Sequence, residues 1–323
     1  MAGTMHIAVV IAARDMAAWI GVCLWSLLAQ THHNWRAIVV DDGSGDDTGA
    51  VVSRFFDPRI RLVTQPPSGV SAARNHALAL SDGDAVLFLD ADDWLAPDAL
   101  ARLAAALAAD DGAAAAYGPY AVMPADARPG DPPKRVKHPR LPAGNPLPAL
   151  LVGNRFANGG HVLVRRDAAE RAAPFDTGLS FGEDWEYWVH LALADRFTGV
   201  SGRAPLLFVR RRPAGAYASR AADLTAFMAP TAAIFAEPLL RSRFSAARLG
   251  RLRRAADAEA EWIAGRARLD AGDSTTGLPL LRRSAWHAPS LRRAVLLAAL
   301  HARHAASIAA ASPRSPRRAV GAG

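Results

Sequence analysis

The sequence predicts an α/β protein in its first two hundred residues, with parallel strands joined by crossover helices, followed by a purely helical region. Three observations carry this. Short β-branched apolar runs alternate with helix-period segments four times over, with connections too long for hairpins. Two acidic clusters, 41–42 and 90–93, each stand directly after a strand-like run. From about residue 221 the composition turns to Ala, Arg and Leu at helical spacing. Ligands of open α/β sheets bind beyond the carboxyl ends of the strands, so both acidic clusters fall where a site belongs.

The elements follow in order. His6 to Ile11 reads as a buried strand, and Met16 to Ala29 as a helix with Trp19, Ile20, Cys23, Leu24, Leu27 and Leu28 on one face. Trp35 to Val40 is a second strand, ending at Asp41-Asp42-Gly43-Ser44. Thr48 to Phe56 is a helix, Ile60 to Val63 a third strand, and Ala72 to Leu80 another helix. Ala85 to Leu89 is a fourth strand and stops at Asp90-Ala91-Asp92-Asp93. Residues 124–148, rich in Pro and without periodicity, read as a loop. Asn158 to Val164 reads as a strand, Glu183 to about Ala194 as a helix, and Leu206 to Val209 as a last strand before Arg210-Arg211-Arg212. Ala255 to Leu269 and Gly277 to His287 form an expected helix pair about Gly272-Asp273. The expected organisation is a catalytic domain at 1–215, a helical C-terminal extension at 221–310 and a disordered tail at 311–323.

Composition narrows the class. Of 323 residues, 51% are hydrophobic and 21% charged, as in a globular protein. The single cysteine, Cys23, sits in an apolar run and reads as core. The longest apolar candidate, residues 294–300, falls short of the about 18–20 residues needed to span a bilayer. The N-terminus lacks a basic region followed by an apolar leader, so a cytoplasmic location is expected. Residues 1–200 carry 17 basic and 23 acidic side chains, and residues 201–323 carry 21 and 7. The basic C-terminal region suggests peripheral contact with the inner face of an anionic membrane, against the plainer reading of Arg as a solubilising residue. No nucleic-acid partner is expected.

Asp90 and Asp92 are the candidate metal ligands, because hard carboxylate oxygens suit Mg²⁺ or Mn²⁺, and such an ion offsets charge on a departing diphosphate. An isolated D-x-D is more often a solvated turn; its place after a buried strand reverses that. Asp42 is the candidate nucleoside ligand, while Asp41 and Ser44 cap the turn. Asp184 is the candidate general base, with Glu183 beside it to orient an acceptor and Trp185 as a sugar platform. Trp188 is assigned to the core. Arg74, at a helix start after a Gly-containing loop, is placed to hold a phosphate or the base. The ten histidines make no zinc-binding set.

Together these residues resemble family 2 glycosyltransferases, the inverting group with the GT-A fold. The matching pieces are Val9-Val10-Ile11, 26–31, Val39-Val40-Asp41-Asp42-Gly43-Ser44, Ala73-Arg74-Asn75, Leu89-Asp90-Ala91-Asp92-Asp93-Trp94 and Phe181-Gly182-Glu183-Asp184-Trp185-Glu186, in the family's order across residues 5–212. The resemblance implies a nucleoside-diphosphate-sugar donor, a divalent cation at Asp92 with Asp90 nearby, Asp42 on the nucleoside and Asp184 as base. It also implies a mostly parallel, Rossmann-like sheet flanked by helices and inversion by one direct displacement. The acceptor would be a saccharide or a lipid-linked saccharide in cell-surface polysaccharide or glycolipid assembly.

Two departures stand out. The family's Pro-x-Tyr-Asn-like segment after the first strand is here Ala12-Ala13-Arg14-Asp15, so Ala13 and Arg14 take the nucleotide-facing positions, and Arg14 offers a guanidinium plane for stacking. A histidine that often follows the last strand is replaced by Arg210 to Arg212. The Gln-x-x-Arg-Trp of processive synthases is absent, which argues for transfer of a single sugar. A nucleotidyltransferase would need a Gly-rich phosphate loop, and residues 11–19 contain no glycine. An inactive transferase-like module that recruits partners through the basic helices is the remaining alternative; the full set of carboxylates speaks against it.

Overall fold

The computed structural model describes residues 4–142, 144–212 and 215–300. The expected tail at 311–323 and the end of the helical extension lie outside the described residues. The strands are β1 Ile7–Ala13, β2 Trp35–Asp41, β3 Ile60–Thr64, β4 Ala85–Phe88, β5 Trp94–Leu95, β6 Ala113–Tyr117, β7 Tyr120–Met123, β8 Arg135–Lys137, β9 Val162–Arg165, β10 Arg196–Gly199 and β11 Leu207–Arg210. The helices are α1 Ile20–Leu28, α2 Thr48–Val52, α3 Val70–Leu80, α4 Ala99–Ala108, α5 Leu147–Leu150, α6 Arg166–Arg171, α7 Glu183–Ala194, α8 Ala216–Arg220, α9 Leu224–Ala236, α10 Leu239–Arg243, α11 Ala246–Asp270 and α12 Ser274–His287.

Seven strands form the main sheet in the order β10-β6-β9-β4-β1-β2-β3. β3, β2, β1 and β4 run parallel, and β9 runs antiparallel to both β4 and β6. The four βα units expected from the sequence therefore occupy adjacent places. β1 is buried along nearly its whole length, as a central strand covered on both faces must be. Its side chains alternate between two apolar layers. Ala8 and Val10 join Phe88, Phe175, Tyr187 and Trp188 on one face. Ile7, Val9 and Ile11 join Cys23, Leu24, Leu27 and Leu100 on the other.

A smaller sheet, β5-β11-β7-β8, was not anticipated. It takes the expected last strand out of the main sheet, and it draws a three-residue strand, β8, from the stretch expected to be all loop. The expected strand from Asn158 is also shorter. Residues Gly159–His161 form a 3-10 turn and pairing starts at Val162. A β-carbon at Gly159 would lie 2.6 Å from Phe88, so only glycine lets this turn press against the end of β4. Beyond residue 216, Ile234, Leu240, Phe244 and Ala256 pack into the same apolar layer as α7. Among the described residues no helix is long and apolar enough to cross a membrane.

Candidate active site

Past the end of β4 the chain makes a turn closed by the Asp93 N–H on the Asp90 carbonyl at 3.1 Å. The turn gathers Asp90, Asp92 and Asp93 so that one carboxylate oxygen of each lies within 4.8 Å of the others. Such crowding is unfavourable without compensation. Burial, then the charge of the neighbouring aspartates, raises Asp92 and lifts Asp93 well above the usual carboxylate range. Asp93 is only 2% exposed. One of its oxygens accepts the Arg210 N–H at 2.8 Å and the other the Asn158 amide at 2.6 Å. Asp92 Oδ2 accepts Arg212 Nε at 2.6 Å, and Asp90 Oδ1 accepts Arg74 Nη2 at 2.9 Å. The second oxygens of Asp90 and Asp92 lie outside these ion pairs, so two hard donors remain for a divalent cation, and the residues fit Mg²⁺ or Mn²⁺.

Arg74 ties this turn to a second acidic group. Its buried guanidinium reaches Asp90 on one side and Glu183 Oε1, at 2.7 Å, on the other. Burial opposes its charge, but Asp90 first, then Glu183 and Asp184, outweigh burial and hold it above its ordinary range. Helix α3 carries Arg74 and is itself aimed by Asp42. The Asp42 carboxylate accepts Gln65 Nε2 at 2.8 Å, the Ser68 N–H at 2.7 Å and the Gly69 N–H at 2.9 Å. Asp42 is only 3% exposed, and of a carboxylate's roughly four lone-pair sites one has no donor in these bonds.

The second acidic group opens α7. Gly182, with φ 76°, makes a left-handed turn into the helix, and a side chain there would strike Pro230 at 2.8 Å. Glu183 is spent on Arg74. Asp184 is half-buried and has no cation in contact among the described residues. Its Oδ2 accepts the Asn154 amide at 3.0 Å and its Oδ1 the Trp185 N–H at 2.7 Å. Desolvation and the charge of Glu183 push it up to about 7, against a partial counter-effect of Arg74.

Trp185 departs from expectation. It is 6% exposed in the core and donates its indole N–H to the Leu150 carbonyl at 2.6 Å, so its ring is not presented as a sugar platform. Trp188 is core, as expected. Ala13 is buried and its carbonyl accepts the Asp42 N–H at 2.8 Å, while Arg14 projects outward beside Asp15. The Arg210 guanidinium is likewise internal, bonded to the carbonyls of Asp92, Ala125 and Ala127, whereas the Arg212 guanidinium pairs with a carboxylate of the cluster.

The fold thus brings Asp90, Asp92, Arg74, Glu183 and Asp184 into one connected group, with Asp42, Ala13 and Arg14 at the neighbouring ends of β1 and β2. Sequence reasoning missed the amides that hold the acids: Gln65, Asn154 and Asn158. No local pattern marks them, since each meets its aspartate only through tertiary folding.

Comparison with known proteins identifies relatives of this chain. Residues 8–172, just over half of the chain, match the model of the family described as Glycosyl transferase family 2. The chain is 43% identical over 79 residues to a UDP-Glc:alpha-D-GlcNAc-diphosphoundecaprenol beta-1,3-glucosyltransferase of Escherichia coli, covering 24% of this chain and 31% of that protein. It is 32% identical over 184 residues to a succinoglycan biosynthesis protein of Rhizobium meliloti, covering 54% of this chain and 52% of that one. The chain therefore spans at most about half the length of these curated relatives. Among solved structures, a mannosyltransferase of Pyrobaculum calidifontis in complex with GDP-Man and Mn²⁺ superposes with a TM-score of 0.59 at 21% identity, over 94% of this chain and 81% of that one. The architecture is the GT-A fold.

Proposed function

The chain belongs to glycosyl transferase family 2, and from that premise we propose a metal-dependent, inverting glycosyltransferase that moves a single sugar from a nucleoside-diphosphate-sugar to an acceptor hydroxyl. The observation that carries the reading is the Arg74 bridge, 2.9 Å to Asp90 and 2.7 Å to Glu183. It joins the acids suited to a cation to the helix start that carries Asp184.

In this reading Asp92 and Asp90 hold the cation. A bound Mg²⁺ or Mn²⁺ supplies charge to offset what gathers on the departing diphosphate. Asp42 receives the nucleoside with its remaining lone pair, and Arg14, next to Ala13 at the end of β1, covers the base. Asp184 takes the proton of the acceptor hydroxyl as that oxygen bonds to the anomeric carbon and the sugar–phosphate bond breaks. One displacement from the opposite face inverts the carbon. A base with a pKa near 7 is matched to that task at neutral pH. Glu183 acts through Arg74, fixing the distance between the two acidic groups. The names of the relatives, together with the excess of basic residues after 200, support an acceptor that is a saccharide or a lipid-linked saccharide, used in polysaccharide assembly at the inner face of a membrane.

A panel of nucleotide-sugars, measured for binding and hydrolysis with and without Mn²⁺, tests this. One donor is expected to bind in a Mn²⁺-dependent manner. Asp92→Ala is expected to weaken it about tenfold or more, the scale of one lost charged contact. Equal affinity in both proteins would remove Asp92 from the metal site, and a chain that binds no nucleotide-sugar would favour the inactive binding module.

A further inference from the structure

Arg212 stands where a second cation is least expected. Its Nε lies 2.6 Å from Asp92 Oδ2, and both side chains are 17% exposed. Its guanidinium carbon lies 4.5 Å from the centroid of the Trp19 ring, just ahead of α1. The backbone leading to it is pinned. Arg210 donates its N–H to Asp93 and its guanidinium to three carbonyls, and the Arg211 N–H bonds the Met123 carbonyl at 3.0 Å. The Arg212 side chain, by contrast, reaches past that anchor to one carboxylate and one ring.

A guanidinium at Asp92 and a divalent cation on the same carboxylate repel each other. A diphosphate brings new acceptors that match the guanidinium fork at least as well as a carboxylate does. We propose that Arg212 is an internal counter-ion that is exchanged on donor binding: it holds Asp92 until a metal arrives, then passes to the diphosphate oxygens while the metal takes Asp92. The inference rests on the reading of Asp92 as a metal ligand. Trp19 keeps the guanidinium beside the site through the exchange. Arg212 is thus a positioning residue that opposes the metal when it binds alone and favours the metal together with a nucleoside diphosphate.

These two effects have opposite signs, and Arg212→Gln separates them. Mn²⁺ alone, titrated by electron paramagnetic resonance, is expected to bind the variant about tenfold more tightly than wild type, because Asp92 is released. UDP and GDP, titrated by calorimetry at saturating Mn²⁺, are expected to give one nucleotide that binds wild type and binds the variant about tenfold more weakly. Arg212→Lys, which keeps the charge but not the fork, should restore the weaker binding of Mn²⁺ alone and recover only part of the nucleotide affinity. Losses of both affinities together, or an unchanged Mn²⁺ affinity, would overturn the exchange and leave Arg212 as a support for the turn. Wild type that binds Mn²⁺ but neither nucleotide would also overturn it. Wild type that binds neither Mn²⁺ nor either nucleotide would overturn the metal-site reading itself.

Discussion

The acids after β4 and the acids that open α7 are linked by one arginine, and each group pairs some of its acids with a cation and leaves one to neutral donors alone. In the first group every carboxylate has a firm partner: Asp90 has Arg74, Asp92 has Arg212, and Asp93 has Asn158 and the Arg210 N–H. In the second group Glu183 takes the other arm of Arg74, and Asp184 is left with an amide and a backbone N–H alone. Both acids without a cation are raised by burial, Asp93 well above the usual carboxylate range and Asp184 to about 7. They differ in access: Asp93 is 2% exposed, whereas Asp184 is only half-buried. On the proposed reading, the cation-paired Asp90 and Asp92 hold the metal, and the more accessible Asp184 takes the proton.

The contrast can be broken most forcefully at Asp184. Asp184→Asn should lower transfer by about 10²- to 10⁴-fold, the usual worth of a general base, while donor binding with Mn²⁺ stays close to wild type. The same variant should be more stable than wild type at neutral pH. Asp184 has a folded pKa of about 7 against about 3.9 unfolded. The folded state therefore prefers the protonated acid, and wild-type stability falls as pH rises from about 4 through 7. Asparagine avoids that loss, so urea denaturation should show a gain of about 1–3 kcal/mol at pH 8 that vanishes near pH 4.

Removing the bridge comes next. Arg74→Met strands Glu183 and Asp90 without a cation and should destabilise the protein by about 3–5 kcal/mol in the same assay. It should also move the Asp184 pKa further up, since Arg74 holds it down. A loss below 1 kcal/mol would mean that water serves both acids as well as Arg74 does. Asn158→Ala leaves one buried oxygen of Asp93 without a donor, for an expected cost of about 1–3 kcal/mol and a lower melting temperature. The smallest change is Trp185→Phe, which keeps a ring in the core and deletes one N–H. It should cost about 0.5–1.5 kcal/mol and leave the acceptor KM unchanged. A raised acceptor KM would return Trp185 to the sugar site.

Much of the fold and of the site is legible in the sequence. The four βα units could be read because short apolar runs such as Ile38-Val39-Val40 and Val86-Leu87-Phe88-Leu89 stop abruptly at acids, which marks strand ends and site together. The far side of the main sheet and the smaller sheet could not. β6 is Ala113 to Ala116 and Tyr117, a sequence whose propensity favours helix. It is a strand because β9 and β10 bury it on either side. β8 is three residues in a proline-rich stretch, held by β7 alone in the pairing pattern. Asp42, Asp90, Asp92 and Asp184 carried their signal in the sequence, but their partners did not. Arg74 and Glu183 are 109 residues apart, Arg212 and Asp92 are 120 apart, and Asn154 and Asp184 are 30 apart. Trp185 misled because a helix start near acids looks exposed; α7 turns that position onto Leu150 instead.

The raised Asp184 carboxyl is tested most directly by a carbon-13 NMR titration of its side chain, assigned by difference with Asp184→Asn. The account predicts a midpoint near 7. A midpoint close to the ordinary value of about 3.9 would mean that burial does not raise Asp184 and would contradict its proposed role as the base.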